Sequence, residues 1–137
     1  MSAEKSKDTA QRWLQQGNAD LKAALGSLSM GSFEWACFQC QQAAEKALKA
    51  FWHYNQVEPW GHSLVRLMQD YPKEPDHSQL MLLIDHAKHL DKLYIPTRYP
   101  DGLPDLTPSE VFTGADAGAA IDHSRTIIEW VSNHLSF

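Results

Sequence analysis

The sequence predicts an all-α protein, an up-and-down bundle of four long helices and one short one. Three observations support this prediction. Apolar residues recur at three- and four-residue steps over long segments near both ends of the chain. Gly31 and Ser32 separate the first two of these segments by a tight turn. No segment alternates apolar and polar residues between turn signals in the way that a strand does.

The first two helices form an antiparallel hairpin in this prediction. The apolar stripe of the first helix lies between Thr9 and Met30, and that of the second between Phe33 and about Tyr54. Gly17 lies on the first stripe, where its helix cost of about 1 kcal/mol relative to alanine is tolerable if a neighbouring helix packs closely there. Because the turn at Gly31 is short, the two helices must run in opposite directions.

Three more helices are predicted beyond the hairpin. A short helix over Ser63–Met68 ends before Pro72, and a fourth helix begins at a capping-box pattern, Asp76–Gln79, and continues to Tyr94. A last helix begins at a second capping box, Thr113–Asp116, and its stripe reaches Leu135.

The segment before the last helix is rich in proline and is predicted to be ordered but not helical. Prolines recur at every fourth position there and would interrupt each turn of a helix. They are Pro96, Pro100, Pro104 and Pro108. Tyrosines and Phe112 offer aromatic anchors, so we expect an ordered strap across the bundle.

Length and charge exclude several classes of protein. A chain of 137 residues fits one domain, which we place at residues 9–136 after a polar tail of residues 1–8. Twelve Lys and Arg against seventeen Asp and Glu give a net charge of −5, which argues against a protein that coats nucleic acid or anionic membranes. The longest aliphatic run, Leu80–Ile84, is too short to span a bilayer. With a polar opening and no signal-peptide pattern, the expected location is cytoplasmic.

Two groups of metal-ligand residue types are interpreted as structural, so no metal and no cofactor are predicted. Cys37 and Cys40 form a CxxC pattern, but they continue the apolar stripe of the second helix and are predicted to pack in the core. The alternative is a zinc site completed by His86 and His89. Asp85 with these histidines is a second, weaker metal candidate, for which two solvated histidines are the simpler interpretation.

Several segments together resemble one family. Phe33–Ala50, Gly61–Leu64 and Tyr94–Asp101, in this order and preceded by Arg12–Gln16, closely resemble the HEPN family over about residues 9–136. The resemblance implies a four- or five-helix bundle, often a homodimer, similar in fold to the helical substrate-binding subunits of nucleotidyltransferases. It also implies pairing with a minimal nucleotidyltransferase in toxin–antitoxin or nucleotide-binding systems.

The chain departs from the signature of the family's metal-independent RNases, so no catalytic residues are predicted. That signature is an arginine, four to six residues, then a histidine. Here eight residues separate Arg125 from His134, and ten separate Arg66 from His77. On a helix, Arg125 and His134 lie about 13.5 Å apart along the axis and about 180° apart around it, too far to act on one phosphate.

The favoured interpretation is a non-catalytic module that binds a nucleotide or another phosphate-bearing ligand. Arg98 would bind phosphate, Lys46 and Lys49 would supply charge, and Tyr99 would stack on a base. The six candidate ligand-binding residues are Glu45, Lys46, Lys49, His62, Arg98 and Tyr99.

Three alternatives stay open at this level. In the first, Arg98 forms an ion pair with Glu45 that fixes the proline-rich strap, and Lys46 and Lys49 are solvated. In the second, the protein is an RNase of altered geometry, with His62 as the acid–base group and Arg98 as the electrophile. In the third, it is a structural assembly protein, which its five tryptophans support.

Overall fold

The computed structural model describes residues 2–137, which are 71% helical and contain no strand. The three long helices are α1 (Ala3–Ser29), α2 (Phe33–Tyr54) and, at the end of the chain, α7 (Gly114–Asn133). The short helices between them are α3 (Leu64–Gln69), α4 (Asp76–Met81), α5 (Ile84–Asp91) and α6 (Pro108–Val111), with a 3₁₀ turn at Pro100–Gly102. The predicted all-α bundle is confirmed.

The α1–α2 hairpin forms as predicted, but α1 begins earlier than the apolar stripe indicated. Ser2 caps the helix by accepting a hydrogen bond from the Lys5 amide at 3.2 Å, and Ser6 is buried. The polar segment 3–8 is therefore helical, because a capping serine and helix-compatible residues extend α1 beyond its stripe. Gly31 closes the hairpin with φ of 82°.

Gly17 lies at the closest approach of the two helices of the hairpin. A Cβ atom added there would lie 3.0 Å from the carbonyl oxygen of Ala43 in α2. This contact accounts for a glycine in the middle of a long helix, as the sequence predicted. Helix α2 is then buried between α1 on one side and α7 on the other, and it carries the largest share of the core.

The prediction of a single fourth helix is wrong, because two helices, α4 and α5, stand in its place. The amides of Leu82 and Leu83 bond to the carbonyls of Gln79 and Leu80, three residues back, at 3.1 and 2.9 Å. This tightened turn separates α4 from α5 and leaves Leu82 85% exposed. No proline or glycine marks the turn. The capping box at Asp76 is also wrong, because Pro75 is the N-cap and the Gln79 amide donates to the Pro75 carbonyl at 3.3 Å. The Ser78 amide and hydroxyl donate to the Glu74 carboxylate.

The proline-rich segment is ordered, but the prediction that it contains no helix is wrong. Pro100 begins the 3₁₀ turn and Pro108 begins α6, each at a first-turn position where the missing amide is not needed. Thr107 and Glu110 form a capping box at α6. Thr97 is buried, and its hydroxyl donates to the carbonyl of Leu93 at 2.5 Å. The burial of Thr97 and the contacts of α6 with α2 hold this segment against the bundle.

Helix α7 closes the bundle against α2. Its capping box is confirmed, since Thr113 Oγ1 accepts from the Asp116 amide at 3.2 Å and Asp116 Oδ2 accepts from the Thr113 amide at 2.9 Å. Within residues 2–137, no helix is long and apolar enough to cross a membrane.

Cys37 and Cys40 are packing residues, as predicted. Both are fully buried free thiols on the core side of α2. Burial raises the pKa of each thiol to about 12. Such thiols stay protonated at neutral pH and behave as small apolar groups.

Candidate functional site

A buried polar row follows one face of α2. Gln41, Glu45 and Lys49 lie at successive turns, and all three are buried in an otherwise apolar helix interface. Glu45 accepts hydrogen bonds from Gln41 Nε2 at 3.4 Å and from Lys49 Nζ at 3.2 Å, one at each carboxylate oxygen. The Glu45 charge is thus compensated inside the bundle.

The loop before α3 is bound to this row through His62. The His62 Nδ1 atom lies 3.3 Å from Glu45 Oε2, and Gln41 Nε2 donates to the His62 carbonyl at 3.0 Å. The imidazole itself is largely exposed, with 61% of the side chain accessible. A buried carboxylate therefore orients an exposed histidine.

The row continues through two glutamines toward α1. Gln42 Nε2 donates to Gln41 Oε1 at 2.8 Å, and Gln42 Oε1 lies 3.5 Å from Lys46 Nζ. Lys46 then pairs with Asp20 of α1 at 2.5 Å. Gln16 Nε2 donates to the other oxygen of Asp20 at 2.9 Å. We call this connected set, from Asp20 to His62, the α2 polar network.

A groove opens at the Lys46 end of the α2 polar network. It has a volume of about 310 Å³ and is lined by Arg12, Trp13, Gln16 and Lys46. Lys49 Nζ lies 5.6 Å from the centroid of the Trp13 ring, and the His53 ring lies 5.8 Å from it. Arg12, Trp13 and Gln16 were not predicted from the sequence to be site residues. Their three- and four-residue spacing on α1 is the signal that could have found them.

Arg98 lies at the opposite end, in an aromatic cluster. Its Nε and Nη2 atoms both donate to the Tyr94 carbonyl, at 2.9 and 2.7 Å. The guanidinium carbon lies 4.4, 4.6 and 5.1 Å from the ring centroids of Phe38, Tyr94 and Tyr99. The His62 ring stacks on Tyr94 at 5.2 Å. Cation–π contacts and a backbone carbonyl therefore fix the guanidinium.

The alternative ion pair between Arg98 and Glu45 is wrong. Glu45 is occupied by Lys49 and His62, and no carboxylate in the described part of the chain pairs with Arg98. The six candidate residues are connected but do not form one pocket. Glu45, Lys49 and His62 are in contact, Lys46 joins them through glutamines, and Arg98 and Tyr99 join them through the Tyr94 ring.

A cluster of three histidines joins α5 to α7. The Nδ1 atoms of His86 and His123 lie 2.8 Å apart, and the His89 ring stacks on His123 at 4.5 Å. Burial and the two neighbouring histidines lower the pKa of His123. Across residues 2–137, no group of three or more His, Cys, Asp or Glu has an arrangement that could hold a metal ion. From the sequence, His86 and His89 were interpreted as solvated, and their contact with His123 was not predicted.

The fold and the candidate site define a class, the small helical-bundle modules with a charged face. The defining features are the α1–α2 hairpin, the α7 helix packed against it and the polar face of α2. The chain belongs to the HEPN domain family, because the model of that domain matches residues 10–134.

Solved structures agree with this membership. A protein from Thermus thermophilus is 40% identical with a TM-score of 0.85, covering 92% of this chain and 98% of that one. An archaeal HEPN homologue is 34% identical with a TM-score of 0.77, covering 93% and 98%. An HEPN domain protein from Thermotoga maritima is 28% identical with a TM-score of 0.65, covering 89% and 95%.

A human protein, sacsin, contains a similar segment. It is 29% identical over 133 residues, which is 92% of this chain. The chain spans only 3% of the length of sacsin.

Proposed function

We propose that this protein is a non-catalytic HEPN module that binds a nucleotide or another phosphate-bearing ligand. Of the six candidate residues, Arg98 and Tyr99 are the proposed ligand contacts, and the other four belong to the network that reaches them through the Tyr94 ring, namely Glu45, Lys46, Lys49 and His62. Charge pairing supports this proposal, because Lys46 and Lys49 already have carboxylate partners while Arg98 has none among residues 2–137. An anion from outside the protein would complete that pairing.

The Arg98 surface has the parts that a nucleotide needs. The guanidinium is only half-buried, and its Nη1 is not used in the two bonds to Tyr94. Tyr99 is 49% exposed beside it, so its ring is accessible for stacking on a base. Because the guanidinium is already fixed by Tyr94, binding phosphate costs little side-chain entropy.

Calorimetric titration with ATP, ADP and AMP tests the proposal. The unmutated protein should bind one of these nucleotides saturably, and both Arg98→Ala and Tyr99→Ala should weaken binding about tenfold, or about 1.4 kcal/mol. Arg66→Ala is the control, because Arg66 is exposed on α3 and pairs with Asp70, four residues further along at the C-cap of the same helix. Undetectable binding by the unmutated protein at millimolar nucleotide would refute the proposal.

A second candidate, an RNase of altered geometry, is supported by the contact between Glu45 and His62. A buried carboxylate 3.3 Å from the Nδ1 of an exposed histidine is an arrangement that orients acid–base groups. Cleavage of RNA by the purified protein, lost in His62→Ala, would establish this activity in place of simple binding. Absence of cleavage would leave the binding module.

The proposed module acts as a homodimer with a minimal nucleotidyltransferase as its partner, in a toxin–antitoxin-like system. Several large apolar side chains lie on the surface and would be covered by such contacts. They include Trp35, Trp60 and Ile95, which are 48–63% exposed. Light scattering at tens of micromolar protein tests the dimer, and stable self-association without nucleotide binding would favour the structural assembly alternative. The cytoplasmic location stays a prediction.

A further inference from the structure

The groove at the α1–α2 seam is a second candidate site, distinct from the Arg98 surface. Its volume of about 310 Å³ lies at the lower end of the range of about 300–1,000 Å³ that is typical of small-molecule sites. Its walls come from two long helices, Arg12, Trp13 and Gln16 from α1 and Lys46 from α2. The groove is therefore built on rigid elements and has the size for a small molecule.

The charge of the groove indicates the charge of its ligand. Lys46 pairs with Asp20, so these two charges compensate each other. Arg12 is exposed, and no carboxylate in residues 2–137 pairs with it, so one positive charge remains. A monoanion balances this charge, whereas a phosphate monoester carries about −1.5 to −2 at neutral pH. The guanidinium also matches the two oxygens of a carboxylate.

Trp13 indicates the rest of the ligand. Its ring is half-buried, and Lys49 and His53 of α2 hold it in place at 5.6 and 5.8 Å. A fixed indole presents a planar apolar surface beside Arg12, on which a flat ring can pack. Gln16 is held by its bond to Asp20, which keeps the wall between these groups ordered.

We propose that this groove binds a small aromatic carboxylate. Its carboxylate pairs with Arg12, its ring packs on Trp13, and the neutralised Lys46–Asp20 pair forms the opposite edge of the groove. The groove is distinct from the Arg98 surface, because Arg98 and Tyr99 do not line it, and Lys46 is the one residue that it shares with the six candidate ligand-binding residues.

Titration with indole-3-acetate and with its uncharged amide tests the proposal. The unmutated protein should bind the carboxylate saturably and the amide at least about tenfold more weakly. Arg12→Gln should weaken the carboxylate about tenfold without lowering the melting temperature, because Arg12 has no pairing role in the fold. Trp13→Leu should weaken both ligands, since it removes the ring contact.

Two arginine variants serve as controls. Arg66→Gln and Arg98→Ala should leave indole-3-acetate binding unchanged, whereas Arg98→Ala weakens the nucleotide in the proposed function. Equal binding of the amide and the carboxylate, loss of carboxylate binding in Arg98→Ala but not in Arg12→Gln, or no binding at millimolar indole-3-acetate would each overturn the inference. None of these outcomes bears on nucleotide binding, which is measured separately.

Discussion

Ser124 Oγ donates a hydrogen bond of 2.8 Å to the carbonyl oxygen of Cys40, joining α7 to α2 across 84 positions of the chain. Both residues are fully buried. The docking of the last helix thus has a directional polar contact in addition to its apolar stripe. A hydroxyl in the core is tolerated because this carbonyl satisfies it.

Replacing Ser124 by alanine should lower the free energy of unfolding by about 1 kcal/mol. The effect is modest because the Cys40 carbonyl can keep its helical partner when the hydroxyl is removed. Urea denaturation measures it, with Thr126→Ala as the matched control, since the Thr126 hydroxyl bonds within its own helix to the Asp122 carbonyl. A smaller loss for Ser124→Ala than for Thr126→Ala would contradict the assigned role.

The two cysteines should be inert toward thiol reagents in the folded protein. Their pKa values of about 12 and their complete burial keep the reactive thiolate fraction very low near neutral pH. Absorbance after addition of an aromatic disulfide should show no reaction until denaturant is added, and then two thiols per chain. Rapid reaction without denaturant would mean that the α2–α7 interface opens readily.

Arg98 should contribute to stability as well as to ligand binding. Arg98→Ala removes two charged hydrogen bonds to the Tyr94 carbonyl and should lower the free energy of unfolding by about 1–3 kcal/mol. Thermal melts of double variants identify the partner. Arg98→Ala should couple with Phe38→Leu, whose ring lies under the guanidinium, and should be nearly additive with Glu45→Gln, which does not contact it. Additivity with Phe38→Leu together with coupling to Glu45→Gln would instead support an ion pair between Arg98 and Glu45.

Stability should fall as pH decreases below about 6.5, partly because of His123. The pKa of His123 is lowered in the folded protein by burial and by His89 and His86, with Asp122 opposing. Between the unfolded and folded pKa values the unfolded chain binds a proton that the folded chain does not, so acid favours unfolding there. The stabilisation contributed by His123 is complete above about pH 6.5, the pKa of an unfolded histidine, and it is lost as the pH falls toward the lowered pKa of His123 in the folded protein.

His123→Asn should therefore reduce the slope of unfolding free energy against pH in this window. Some slope should remain, because burial also lowers the pKa of His53. Chemical denaturation at several pH values measures both effects, and an unchanged slope in His123→Asn would remove His123 as a cause.

The helices with long stripes were predictable because periodicity, caps and turn glycines are local signals. The second helix was predicted from Phe33 to about Tyr54 and spans Phe33–Tyr54, and the Thr113 capping box was correctly placed. The break at Leu82 carries no proline or glycine, so no local signal marks it. Pro100 and Pro108 were interpreted as helix breakers, whereas a proline at a first-turn position begins a helix.

The six candidate site residues stay a prediction, and the sequence does not indicate which distant residues they contact. The four-residue spacing of Gln41, Glu45 and Lys49 placed them on one face, but the partners of that face come from distant segments. Trp13 reaches Lys49 from another helix, and His123 reaches His86 across 37 positions. The choice of Lys49 over Arg98 as the partner of Glu45 depends on tertiary geometry, which residue spacing does not contain.

Position 17 acts as a spacer that sets the width of the α1–α2 groove. Trp13 lies one helical turn before it, and Lys46 stands on the opposite wall close to Ala43. A methyl group at position 17 would meet a backbone oxygen that cannot rotate away, so the two walls would have to separate by a few tenths of an ångström. One glycine of the hairpin thus controls the aperture between an indole and an ammonium group that it does not itself touch.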